Sequence, residues 1–247
     1  MTLVKICGLR DAETARATKE AGADFIGLNF ARSKRRVTPQ EAFEILAVLR
    51  EGRDPTTPVD FDAPACGEVR GLSWFGAWSE AIEQSVAAHR PLVVGIFADQ
   101  PLEEVNDIAD AAGLDLVQLS GGEDEAFIRG VRRPVVRALH VAEDTDADAL
   151  LDTAQEVPTA AILLDTASKQ ARGGTGETFD WDIAAGAAER LPLFLAGGLH
   201  PGNVAEAVER VVPWAVDVAS GVETDGKKDI DKIRAFIRAA KGVRVER

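Results

Sequence analysis

Eight short apolar runs alternate with eight helix-like stretches along almost the whole chain, and this alternation leaves few folds open. The runs fall at 3–7, 24–29, 92–97, 115–119, 134–138, 159–164, 192–196 and 214–218. They are mostly Val, Ile, Leu, Phe and Ala with little polar alternation, as in strands covered on both faces. Stretches with helical spacing fall at 11–21, 39–51, 101–112, 123–131, 145–154, 180–190, 201–211 and 229–240. Several carry start signals: Thr38 precedes Pro39, Pro101 opens the third, Pro201 the seventh, and Asp229 can cap the eighth. Eight such repeats in 247 residues predict an α/β chain folded as one (β/α)8 (TIM) barrel spanning 1–247. An open doubly wound sheet is the alternative, and it has no need of eight repeats.

One segment breaks the rhythm. Residues 52–90 separate the second helix from the third strand by far more than an ordinary connection. The insertion opens polar, with Arg53-Asp54-Pro55-Thr56-Thr57-Pro58, then carries Leu72 to Trp78 and a helical run from about 79 to 89. It reads as a surface excursion, an active-site lid or a partner-binding patch. The excursion is expected, with Trp74, Phe75 and Trp78 packing it onto the barrel, because so large an apolar patch would otherwise lie exposed. Cys66 within it reads as an incidental thiol.

Composition excludes several classes. The net charge is −13 and no basic stripe occurs, so nucleic acid is not an expected partner. No apolar run approaches the ~18 residues that span a bilayer, and the N-terminus lacks a leader pattern. Two cysteines do not make a disulfide framework, so the expected location is the cytoplasm. Acidic clusters such as Glu143 to Asp148 read as solvated surface. Self-repulsion of this charge is screened by salt. A melting temperature that rises between low and molar potassium chloride is therefore expected, and one that stays flat would show an ordinary acidic surface.

Four strand ends carry chemistry. Val4-Lys5-Ile6-Cys7-Gly8 places a cysteine at the C-terminal end of the first strand beside a flexible turn, where barrel enzymes put reactive groups. Its thiolate would act as nucleophile or general base; a small buried hydrophobe is the plain alternative. Asp165 closes the sixth strand before Gly173-Gly174-Thr175-Gly176. Ala196-Gly197-Gly198 and Asp217-Val218-Ala219-Ser220-Gly221 close the seventh and eighth. Glycines there let backbone N–H groups approach a phosphate. Cys7 and Asp165 would then face each other across the mouth as an acid/base pair with room for a small sugar. Asp165 could equally cap a turn, and Arg35 and Arg36 after the second strand could hold a carboxylate or be plain surface charges.

These strings together resemble the phosphoribosylanthranilate isomerase family of tryptophan biosynthesis. The resemblance runs through Val4 to Gly8, Gly22 to Phe30, Ser33-Lys34-Arg35 with Pro39, Val117-Gln118-Leu119, Ile162 to Thr166, Gly173 to Gly176 with Phe179-Asp180-Trp181, Ala196 to Leu199 with Pro201 and Asn203, Asp217 to Glu223, and Gly226 to Asp229. It leaves out 52–90. It implies an Amadori rearrangement of N-(5′-phosphoribosyl)anthranilate, with Asp165 as general acid at the furanose oxygen and Cys7 as general base at C2′. It further implies Arg35 at the anthranilate carboxylate, Asp217 at the anthranilate nitrogen, and Gln118 among the substrate-binding residues. Gly174, Gly176, Gly197, Gly198, Ser220 and Gly221 match the phosphate cradle. The implied partner is a small phosphosugar, with no metal or organic cofactor, in a monomer or homodimer. Ser120, Arg36, Glu177 and Ala219 depart from the family pattern. A related ribose-phosphate isomerase of histidine biosynthesis resembles an aspartate pair, which Cys7 argues against. A phosphate-binding barrel kept as a partner protein is the non-enzymatic alternative.

Overall fold

The computed structural model describes residues 1–64, 71–141, 146–157, 159–166 and 181–244. Eight parallel strands close into a barrel in chain order. They are β1 (Leu3–Cys7), β2 (Phe25–Asn29), β3 (Leu92–Phe97), β4 (Leu116–Leu119), β5 (Val135–Val141), β6 (Ala161–Thr166), β7 (Leu193–Leu195) and β8 (Ala215–Val218). Between and after them run α1 (Ala12–Glu20), α2 (Pro39–Leu49), α3 (Leu72–His89), α4 (Leu102–Ala112), α5 (Glu125–Gly130), α6 (Ala147–Glu156), α7 (Trp181–Ala188), α8 (Val204–Val211) and α9 (Ile230–Gly242). The closing ladder pairs β1 with β8, and Lys5 with Asp217. The expected (β/α)8 barrel is the observed one.

Strand alternation explains how the barrel is filled. Val4, Ile6, Ile26, Val93, Val117, Ile162 and Val216 belong to the core shared with the helices. Phe25, Leu92, Val94, Leu116, Val136, Leu163, Phe194 and Ala215 form a separate core inside the barrel. Successive side chains on a strand point to opposite faces. Following the inward set toward the C-terminal ends, apolar side chains give way to Lys5, Gln118 and Asp217, and then to Cys7, Asn29, Ser120, His140 and Asp165. The inner core thus stops partway up, and the upper part of the barrel is polar.

The insertion closes the other end. Its helix α3 starts at Leu72, earlier than the run read from sequence. Ile82 and Val86 of α3 join Phe25, Leu92 and Phe194 in the inner core, with Trp78 and Phe61 packed against it. Trp74 Nε1 donates to the carbonyl of Thr159 just before β6 at 2.8 Å, and Trp214 Nε1, just before β8, donates to Glu83 Oε1 at 2.7 Å. These contacts all lie at strand beginnings, so α3 covers the N-terminal end of the barrel. The chain leading to it is fixed by Arg50, buried at the end of α2. Arg50 Nη2 pairs with Asp115 Oδ1 at 2.6 Å, and Nη1 donates to the carbonyls of Pro55, Thr57 and Gly113. Cys66 lies outside the described residues.

Two further local expectations needed correction. The fifth strand runs three residues past 138, because β5 continues its ladder with β6 through His140↔Asp165 and Val141↔Thr166. Pro201 does not open α8. Asn203 is the N-cap, and its side chain ties the preceding turn by accepting from His200 N at 2.8 Å and donating to Gly198 O at 3.1 Å. Pro101 stands one residue before α4, at its N-cap, and the other two start signals act as read. Thr38 and Glu41 form a reciprocal capping box on α2 with Pro39 in its first turn, and Asp229 caps α9.

Candidate active site

An open cavity of about 1040 Å³ occupies the C-terminal mouth of the barrel, lined among others by Cys7, Asn29, Arg35, Gln118, Ser120, His140, Asp165 and Asp217. All five residues expected to carry chemistry or hold the organic part of a substrate therefore meet in one place: Cys7, Asp165, Arg35, Gln118 and Asp217. Cys7 is the last residue of β1, and its sulfur rests over Gly27 of β2. A Cβ at Gly27 would stand 3.0 Å from Ile96 Cδ1 and 3.1 Å from Sγ, so a larger residue there would crowd the thiol.

Beneath the thiol lies Lys5, a charged residue with 1% of its surface exposed. Its Nζ donates to Asp217 Oδ1 at 2.9 Å and to Gln118 Oε1 at 3.0 Å. An ammonium only donates, so Gln118 must turn its oxygen to Lys5 and its nitrogen outward, where Nε2 donates to Ser120 Oγ at 3.0 Å. Gln118 thus serves as a strut between the buried cation and the cavity wall. Burial opposes the Lys5 charge, but Asp217 and Cys7 beside it prevail and hold its pKa above the ordinary value. Burial raises the Cys7 thiol, and Asp217 adds to that, against the pull of Lys5, Lys228 and Arg35; the net shift is upward.

A second ionic cluster secures the rim. Glu223, just after β8, receives Arg35 Nε at 2.6 Å and Nη2 at 3.0 Å, a bidentate pair. Lys228 Nζ reaches the same carboxylate at 3.0 Å and the Ala219 carbonyl at 2.7 Å. Burial alone would raise the Glu223 pKa, but hydrogen bonds from Arg35 and Lys228 overcome it and bring it down to about 2. Arg35 is thereby held by one edge of its guanidinium over Gly8, where a Cβ would come within 2.5 Å of Arg35 Cδ. Gly8 also sits at φ +78°, a conformation that glycine adopts without strain.

The expected phosphate cradle is placed only in part. Gly197 and Gly198 take φ of +82° and +65° after β7. Ser220 and Gly221 begin a single 3-10 turn after β8, and Gly221 lies against Leu199, so that a Cβ there would collide with the Leu199 carbonyl oxygen. The two strand-end segments therefore pack directly on one another beside the cavity. Gly174 and Gly176 lie outside the described residues. Among the described residues, no three His, Cys, Asp or Glu side chains converge as metal ligands would.

Sequence reasoning passed over Lys5, Asn29, His140 and Glu223. For Lys5 a signal existed: a lysine inside an apolar run, two residues before Cys7 and hence on the same face of the strand. His140 fell beyond the expected end of its strand. Asn29 and Glu223 fell inside strings that carry the family resemblance, but nothing in their local pattern marked a role.

The fold and its mouth define a (β/α)8-barrel enzyme whose reactive groups stand on the strand ends. Residues 75–239 match the family described as N-(5'phosphoribosyl)anthranilate (PRA) isomerase. The chain belongs to that family. It is 39% identical over 246 residues to an N-(5'-phosphoribosyl)anthranilate isomerase of Dehalococcoides mccartyi, covering 98% of this chain and 96% of that one. It is 40% identical over 261 residues to a multifunctional tryptophan biosynthesis protein of Phycomyces blakesleeanus, matching 98% of this chain but spanning only 33% of that longer protein. The crystal structure of phosphoribosyl anthranilate isomerase from Thermotoga maritima superposes with a TM-score of 0.74 at 34% identity, covering 98% of this chain and all of that one.

Proposed function

We infer that the protein isomerises N-(5′-phosphoribosyl)anthranilate to 1-(2-carboxyphenylamino)-1-deoxy-D-ribulose 5-phosphate, a step of L-tryptophan biosynthesis in the cytoplasm. The observation that carries this reading is the convergence of Cys7 and Asp165 on one cavity whose floor holds the Lys5–Asp217 pair. Asp165 protonates the furanose ring oxygen as the C1′–O bond breaks, leaving an iminium between C1′ and the anthranilate nitrogen. The Cys7 thiolate then takes the proton from C2′, and the electrons of that bond neutralise the iminium to give an enolamine. Tautomerisation, with proton loss from the 2′-oxygen and gain at C1′, yields the ketone. Both roles call for groups able to give or take a proton near the working pH.

The remaining residues bind. Asp217 gives one oxygen to Lys5 and faces the cavity, in position for the anthranilate nitrogen. Arg35, held along one edge by Glu223, offers its other edge to the anthranilate carboxylate. The segments bearing Gly197, Gly198, Ser220 and Gly221, with Gly174 and Gly176, receive the phosphate through backbone N–H groups. The test is loss of anthranilate-type fluorescence when the purified protein meets freshly generated substrate. Decay faster than spontaneous hydrolysis establishes the isomerase. A folded protein that binds a product analogue without turnover would support the partner-barrel alternative.

A further inference from the structure

Asn29 is a polar residue in the catalytic cavity without a structural occupation. It lines the cavity, and among the described residues its side-chain oxygen is buried with no hydrogen-bond partner. Leaving a buried acceptor unpaired costs folding free energy, and such residues survive where function needs them. The other unpaired buried side-chain atoms, on Arg50, Trp78 and Trp181, are donors outside this cavity.

Position narrows what Asn29 could meet. It ends β2 and is the next inward side chain after Gly27, which pairs with Cys7 in the β1–β2 ladder and carries the thiol directly over its backbone. Asn29 therefore stands beside Cys7 on the adjacent strand, one inward step, roughly 7 Å, closer to the mouth. A backbone bridge from Asn29 to Arg36 sets the loop bearing Arg35 immediately beyond it. The carboxamide thus lies between the thiol and that arginine loop.

Chemistry narrows it further. An unpaired oxygen needs a donor, and an ionised carboxylate or phosphate offers only acceptors. The donors on the substrate are its ribose hydroxyls and its amine. The amine falls to Asp217, which is on β8, on the other side of β1. The hydroxyl on C2′ shares its carbon with the proton that Cys7 removes, so it is the donor nearest a side chain adjoining the thiol. We propose that the Asn29 carboxamide, turning about its soft terminal torsion to bring its oxygen into the cavity, accepts a hydrogen bond from the 2′-hydroxyl of the substrate and holds it while Cys7 withdraws the neighbouring C–H proton. This rests on the isomerase reading above. As the C2′–H bond breaks, the alcohol becomes an enol, a more acidic O–H and a stronger donor. The contact therefore strengthens toward the transition state and contributes to kcat more than to substrate affinity.

Two variants test this, read by steady-state kinetics and thermal melting. Asn29→Leu keeps similar bulk and removes the acceptor. Its kcat is expected to fall about tenfold with KM within about threefold, while its melting temperature holds or rises because an unpaired buried polar group has gone. Asn29→Asp keeps an acceptor in the same place. It is expected to retain kcat within about threefold, with its added charge expressed in KM through repulsion of the anionic substrate. Three results would overturn the contact: unchanged kcat in Asn29→Leu, equal kcat losses in both variants, or a lower melting temperature in Asn29→Leu, the mark of a packing role. Wild-type protein that does not consume the substrate would overturn the isomerase reading instead. Wild-type turnover matched by Asn29→Leu would overturn only the role of Asn29.

Discussion

Cys7→Ala is expected to turn over substrate at least about a hundredfold more slowly than the wild type, the usual worth of a positioned general base, with its melting temperature little changed. The substitution removes one sulfur atom that faces the cavity on one side and Gly27 on the other, so little packing is lost. Single-point turnover together with a thermal melt checks the expectation. Near-normal activity would take Cys7 out of the reaction. The same cysteine sets the pH dependence. A base must be ionised to act, and burial, reinforced by Asp217, holds this thiol's pKa above its ordinary value despite the nearby cations Lys5, Lys228 and Arg35. Since the thiolate fraction grows as pH rises toward a raised pKa, kcat/KM of the wild type is expected to climb on the alkaline side of neutrality. A profile flat from neutral to alkaline pH would show a base that is already ionised. Lys5 sits on the same strand face two residues below and opposes the rise more than Lys228 or Arg35 does, which makes it the group that most limits how far the thiol can rise.

Asp165→Asn is expected to lose turnover by about 10² to 10⁴ while still binding a stable product analogue. An amide fills the same space and can hydrogen-bond the ring oxygen, but it has no proton to give, so ring opening stalls. In the proposed binding mode the ligand is held elsewhere, by the Arg35 guanidinium and by backbone N–H groups of the segments following β7 and β8, so affinity should persist. Lost analogue binding would make Asp165 a structural residue. Full activity in a variant that binds normally would move the acid to another group at the mouth. His140 would be examined next, because it is the ladder partner of Asp165 on β5 and lines the same cavity.

The amino-acid pattern made the architecture legible because a parallel strand covered on both faces must be apolar throughout, and eight such runs have one economical closure. It also made the placement of Cys7 and Asp165 at the mouth legible, since a titratable side chain closing an apolar run is unusual. The Trp74 and Trp78 segment could be assigned to packing on the grounds that aromatic surface of that size needs cover. What it covers, the inner core at the strand beginnings, depended on the path of the whole chain. The Lys5–Gln118 strut joins residues 113 apart and the Arg35–Glu223 pair joins residues 188 apart; neither spacing has a local signature. His140 was lost to a boundary, because an apolar count ends a strand at Ala138 whereas hydrogen bonding to β6 carries it on. Asn29 reads as an ordinary strand-end residue until its missing partner is seen.

The inner core and the helix beneath it make the barrel a blind-ended well. Ile82 and Val86, with Trp78 against them, thicken a plug that Phe25, Leu92 and Phe194 already form, so among the described residues the cavity opens only at the top. Traffic through a single opening is sequential: the ketone must leave before the next furanose can settle over the thiol. The division also separates two kinds of evolutionary freedom. Loops around the rim can change to suit a new ligand, while the stopper keeps the column of side chains beneath them standing.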